Sequence, residues 1–106
     1  MNKTIIKQVK NDKGVIFNAK IYKDKKRNDW FITFFDSRYK KGFGKLGQGI
    51  SSYYLGTILN KKGYYGNSND SGLNLYGGFD DWYIDYKPYQ KLIKFLKKKG
   101  LVNDKE

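Results

Sequence analysis

Arg38, Lys40, Lys41, Lys45, Lys61 and Lys62 fall between Asp36 and Asp70, an interval with no acidic residue. Six aromatic residues share it: Tyr39, Phe43, Tyr53, Tyr54, Tyr64 and Tyr65. Seven glycines punctuate the same stretch from Arg38 to Gly66. Positive charge attracts a phosphate backbone, flat rings give bases a surface to stack on, and glycine lets a backbone approach a ligand closely. The three together point to nucleic acid, with single strands favoured over duplex because aromatics accompany the charge. The residues expected to carry this are Arg38, Tyr39, Lys40, Lys41, Phe43, Lys45, Lys61, Lys62, Tyr64 and Tyr65. Lys40, Lys41 and Lys45 would supply counter-charge, and Tyr39, Phe43 and the tyrosine pairs would stack. For Phe43, Tyr64 and Tyr65, placed in loops, a core role and a stacking role are both open. Tyr54 sits on one helical side with Leu55 and Ile58 and reads as core.

Short motifs inside the stretch add little. Gly42-Phe43-Gly44-Lys45-Leu46-Gly47 satisfies G-x-G-x-x-G. A dinucleotide site would also need a parallel βαβ unit and an acidic residue about 20 positions on, and Asn60 to Gly66 holds no acid. No Gly-Lys-Ser/Thr occurs, so a Walker phosphate loop is excluded. Gly44-Lys45-Leu46-Gly47 resembles the GXXG loop of KH domains, which clamps a nucleic-acid backbone. Lys41-Gly42-Phe43-Gly44 resembles the opening of the RNP1 motif of RRM domains. Each resemblance covers four residues and assigns the chain to no family.

The acids gather elsewhere. Asp70, Asp80, Asp81 and Asp85 lie in a window, 70–86, without Lys or Arg. Several Asp oxygens around Mg²⁺ would be sound metal chemistry of the nuclease kind. Their spacing matches no metal loop, so Asp80 and Asp81 read as a turn and Asp85 as a residue near a helix start. Cysteine and histidine are both absent. That removes disulfides, Cys/His zinc sites, Ser-His-Asp and Cys-His catalysis, and histidine acid–base chemistry. The expectation is a binding protein, neither an enzyme nor a carrier of a cofactor or metal.

The chain has 106 residues, net charge +12 and a pI of about 9.8. That length is one domain, residues 1–106. An apolar fraction of 39% with 18% aromatics suffices for one small core and argues against disorder. The charge favours polyanions: nucleic acid first, an acidic protein or anionic membrane second. The plain alternative is a lysine-rich solvated surface arising from AT-rich coding bias, which explains the lysines but not their separation from Asp. No apolar run approaches the ~20 residues that span a bilayer. MNKTIIKQVKNDKG lacks the apolar centre of a signal peptide, and a cytoplasmic protein is the default expectation.

These side chains need elements to position them. Thr4 to Val9 is a short β-prone run, and Asn11-Asp12-Lys13-Gly14 offers a turn. Val15 to Tyr22 alternates: Val15, Phe17, Ala19 and Ile21 on one face, Asn18, Lys20 and Tyr22 on the other. Trp30 to Phe35 (WFITFF) is apolar on both faces and reads as a central strand. Three strands joined by polar turns predict an antiparallel meander. A helix over 51–60 is predicted next, capped by Ser51 or Ser52, with Tyr54, Leu55, Ile58 and Leu59 as its stripe. Beginning at the glycine-rich loop, it would aim free amides at a phosphate. Tyr64 to Gly72 reads as a mobile loop, and LNLY (73–76) and WYIDY (82–86) as two more strands. Pro88 opens the clearest helix, with Tyr89, Leu92, Ile93 and Leu96 as its buried stripe and a lysine-rich outer face. That helix reads as core rather than as a membrane-surface or nucleic-acid helix.

The expected fold is α+β: a small antiparallel sheet of about five strands, in βββ-α-ββ-α order, packed with two helices. The expected function is single-strand DNA or RNA binding through the basic loop and the helix after it. The alternative is a phage- or mobile-element-type inhibitor or accessory protein that docks on a host nucleic-acid-handling enzyme.

Overall fold

The computed structural model describes residues 4–56, 72–75 and 81–101. Its strands are β1 (Ile5–Lys10), β2 (Ile16–Asp24), β3 (Asp29–Asp36), β4 (Gln48–Tyr54), β5 (Leu73–Asn74) and β6 (Tyr83–Ile84). A helix, α1, runs Tyr86–Lys98. β1 to β4 form an antiparallel sheet in sequence order, and β5 and β6 pair separately.

The alternation in β2 works as its sequence predicts. Phe17, Ala19 and Ile21 are buried. The registers Ile21↔Ile32 and Ala19↔Phe34 put the inward residues of β3 beside them. Ile32↔Tyr53 adds β4 to the same face. Tyr89, Leu92 and Leu96 from α1, with Leu73, Leu75 and Ile84, complete one core on that face. The i, i+3, i+7 spacing of the three helical residues makes this stripe.

Two side-chain hubs join the small ribbon to the sheet. Asn11, 5% exposed, donates from Nδ2 to the carbonyls of Asp81 (3.0 Å) and Tyr83 (2.9 Å). Its Oδ1 accepts from the amides of Lys13 (3.0 Å) and Val15 (2.9 Å). One amide group thus shapes the β1–β2 turn and binds the approach to β6. The second hub is Asp36, described below.

The structure corrects the helix expected over 51–60. Ser51 and Ser52 are strand residues of β4, not helix caps. A strand apolar on both faces belongs inside a sheet, and a central strand needs a hydrogen-bonded neighbour on each edge. β2 supplies one side of β3, and β4 supplies the other through Phe31↔Tyr54, Thr33↔Ser52 and Phe34↔Ser51. Pairing overrides a short local pattern that fits either period. A β-bulge between Phe34 and Phe35 shifts the register. Leu55 and Gly56 turn helical at the edge of the described residues. The rest of that predicted helix, and the loop over 64–71, lie outside them.

Among the described residues four strands precede the β5–β6 pair and α1, so a fourth strand stands where the expected βββ-α-ββ-α order begins its first helix. The coarser expectation, an antiparallel sheet with helix in a mixed α+β domain, stands. α1 begins at Tyr86, two residues before the expected start. Asp85 is its N-cap residue, and Pro88 sits in the first turn, where its missing N–H removes no helical bond. No helix among the described residues is long and apolar enough to cross a membrane.

Candidate nucleic-acid interface

The basic loop connects β3 to β4, residues 37–47, and so joins two antiparallel strands. No helix N-terminus stands at its end, and the expected amide cradle for phosphate is absent there. The loop is held at both ends. Ser37 donates through its amide (3.1 Å) and its hydroxyl (2.7 Å) to the Ile16 carbonyl. Asn18 donates from Nδ2 to the Leu46 carbonyl at 2.9 Å. Between them the Lys40 carbonyl accepts from the amides of Phe43 and Gly44, both at 2.9 Å, closing a tight turn. Gly47 has φ +110°, and a Cβ there would land on the Asp36 carbonyl. Only glycine fits this close approach.

On this frame Lys40, Lys41, Phe43 and Lys45 all point into solvent. Phe43 is 58% exposed and Tyr39 44%. Among the described residues, none of the three lysines forms an ion pair. Arg38 is placed differently. It donates from Nε to Asp36 Oδ1 (3.0 Å) and from Nη2 to Asp36 Oδ2 (2.7 Å), and also reaches Asp81 Oδ2 at 2.9 Å. Its guanidinium lies 5.2 Å from the Tyr39 ring. Two carboxylates compensate its charge, so its first role is to anchor the loop. Lys61, Lys62, Tyr64 and Tyr65 lie outside the described residues.

Asp36 is wholly buried and also accepts from Trp82 Nε1 at 2.8 Å. Burial alone would push its carboxyl up. The hydrogen bonds from Arg38 and Trp82 outweigh that and hold it below the usual carboxylate range. The same bond to Asp36 raises the Arg38 pKa further above its ordinary value. Of the acids weighed as metal ligands, Asp81 pairs with Arg38 and Asp85 accepts from the Asp12 amide at 2.6 Å. Asp70 and Asp80 lie outside the described residues. Among those described, no three His, Cys, Asp or Glu side chains gather as a metal site would require.

The sheet's second face was missed as a site in the sequence. β2, β3 and β4 turn Tyr22, Phe31 and Tyr54 to it, a row set by the registers Tyr22↔Phe31 and Phe31↔Tyr54. The Tyr22 and Phe31 rings are stacked at 6.0 Å with planes 22° apart. The Phe31 and Tyr54 rings are 4.5 Å apart. Lys20 Nζ stands 5.1 Å from the Tyr22 ring and the Arg27 guanidinium 5.2 Å from that of Phe31. Beside the row, Tyr22 Oη contacts Thr33 Oγ1 (3.2 Å), which contacts Ser52 Oγ (2.7 Å). Tyr54 is 47% exposed and belongs to this face, which corrects its assignment to the core. In the strand, Tyr53 turns inward and its neighbour Tyr54 turns out. The signal was already visible in β2, where Tyr22 alternates with Lys20 and Asn18 away from the apolar set.

Comparison with family models, curated proteins and solved structures finds no match to this chain. Any functional reading therefore rests on the residues themselves.

Proposed function

We propose that this protein binds single-stranded nucleic acid, without chemistry and without a cofactor, through the β3–β4 loop. The observation that carries the reading is the company of Lys40, Lys41 and Lys45 with the exposed rings of Tyr39 and Phe43 on a loop tied at both ends. Exposed cations without acidic partners attract phosphate, and they do so over a long range on a chain of net charge +12. Exposed rings on a held loop offer stacking surfaces at low entropic cost. Lys61, Lys62, Tyr64 and Tyr65 bring further charge and rings in the same acid-free stretch of sequence. The protein-directed alternative, docking on a nucleic-acid-handling enzyme, rests on charge alone and has no particular residue in its favour.

Titration of a fluorescent 20-nucleotide single strand at increasing salt tests the proposal. Affinity should fall steeply, with a log–log slope of about −0.7 per phosphate contact. A salt-independent response would remove the electrostatic mechanism. No affinity at low salt would leave the protein-directed alternative in first place.

A further inference from the structure

The loop meets the second face of the sheet at Asn18, and beyond that point the face carries Lys20, Tyr22, Phe31 and Tyr54. We infer that the row Tyr22–Phe31–Tyr54 is a second contact surface for single-stranded nucleic acid, on which its bases stack. The inference rests on the proposed function and extends it from the loop to the sheet.

The physical case begins with exposure. Among the described residues no helix or strand covers this face, while α1 and the β5–β6 ribbon pack on the other. Of the three rings Tyr54 is exposed, Tyr22 is half-buried and Phe31 is buried between them, and an exposed ring on a small domain marks a contact surface. Phe31 contacts Tyr22 on one side and Tyr54 on the other across three paired strands, so little side-chain freedom is lost on binding. Phe31, only 7% exposed, is the middle of the row, and Tyr54 is its most open ring. Tyr22, Thr33 and Ser52 bring neutral hydroxyls alongside, able to donate or accept.

Charge selects the occupant. Lys20 and Arg27 lie against the Tyr22 and Phe31 rings, close enough to meet the phosphate of a nucleotide whose base stacks on the neighbouring open ring, Tyr54. Asp24, the acid at that end, is paired with Arg27 at 3.0 Å. A second copy of the chain would bring like charge to like. Ile6 is the one large aliphatic residue strongly exposed among those described, which is too little for a lipid surface.

Geometry joins the row to the loop. Asn18, whose side chain holds the Leu46 carbonyl of the loop, lies on the same face of β2 as Lys20 and Tyr22. The four residue steps from Asn18 to Tyr22 cover ~13 Å of strand. One short single strand can therefore meet the loop lysines and the rings together. The loop takes phosphate and the sheet takes bases.

The test uses the full chain and a fluorescein-labelled 20-nucleotide oligothymidylate. Tyr54→Ala and Tyr22→Ala should each weaken binding about 5- to 150-fold with the salt slope unchanged, the loss expected for one stacked base. Tyr54→Trp should retain binding. Photo-crosslinking of a 5-iodouracil-substituted strand to the unaltered protein should label Tyr22 or Tyr54, and this readout does not depend on any variant folding. Suppose the protein binds with the expected salt slope, both alanine variants bind as the parent does, and crosslinks are confined to Tyr39 and Phe43. The stacking row is then overturned while the functional reading survives. An unaltered protein that binds no oligonucleotide at low salt overturns both. Binding of polyglutamate in place of oligonucleotide would do the same and assign the face to an acidic protein.

Discussion

Arg38 lays its guanidinium along the wholly buried carboxylate of Asp36, giving two parallel hydrogen bonds of 3.0 and 2.7 Å. The Arg38 backbone amide adds a third at 3.0 Å. Bidentate, charge-assisted geometry of this kind is strong and directional. It fixes the point where β3 ends and the basic loop begins. Through Asp81 and Trp82 it also ties that point to the chain leading into β6.

Removing the carboxylate should therefore cost more than a surface ion pair would. Asp36→Ala leaves the Trp82 indole and part of the Arg38 guanidinium without their partner. Breaking a buried pair on one side typically costs about 3–5 kcal/mol. Urea unfolding should show a loss toward the lower end, because Arg38 is 40% exposed and keeps Asp81. A loss below about 1 kcal/mol would demote the pair to a surface contact.

Acid should weaken the fold through the same group. The folded-state pKa of Asp36 is lowered, so the stability it contributes is present above its unfolded value of 3.8 and is lost as pH falls through the lower folded value. The thermal midpoint should decline below about pH 4. In Asp36→Asn that acid decline should be shallower, though its midpoint at neutral pH is lower. Equal acid slopes in the two proteins would show that Asp36 is not the group titrating.

On the loop, charge and stacking should separate. Lys45→Ala should reduce the salt slope for single-strand binding by about 0.7, one phosphate contact. Phe43→Ala should weaken binding about 5- to 150-fold at constant slope. Both should melt as the parent does, because both side chains are exposed. A Phe43→Ala protein that unfolds readily would make that ring part of the core.

Asn11 should prove a structural residue despite its polar type. Asn11→Ala strands two carbonyls and two amides around the β1–β2 turn. A buried group left unsatisfied costs roughly 1–3 kcal/mol, and the Val15 amide is the buried one of the four, so a loss of about that size should appear in chemical unfolding. Oligonucleotide affinity measured below the new midpoint should be unchanged, because Asn11 belongs to neither proposed contact surface.

Some of this was legible in the chain before any fold. The inward set Phe17, Ala19, Ile21 and the helical set Tyr89, Leu92, Leu96 each follow one period, and a period is a local property that burial reads directly. The missing cysteine and histidine bounded the chemistry in the same local way. Residues 51–55 were different. Tyr53 with Leu55 fits a strand, Tyr54 with Ile58 fits a helix, and so short a run cannot choose. The free edge of β3 chose, by offering hydrogen bonds that only a fourth strand satisfies. That choice turned Tyr54 outward and moved the helix start away from the loop. Arg38 shows the same limit. Its residue type and basic neighbours read as a phosphate contact, yet its charge is matched by Asp36 two residues away and by Asp81, distant in sequence. Periodicity within a segment is written in the sequence, whereas which segments meet is a non-local free energy, settled only when the sheet closes around them.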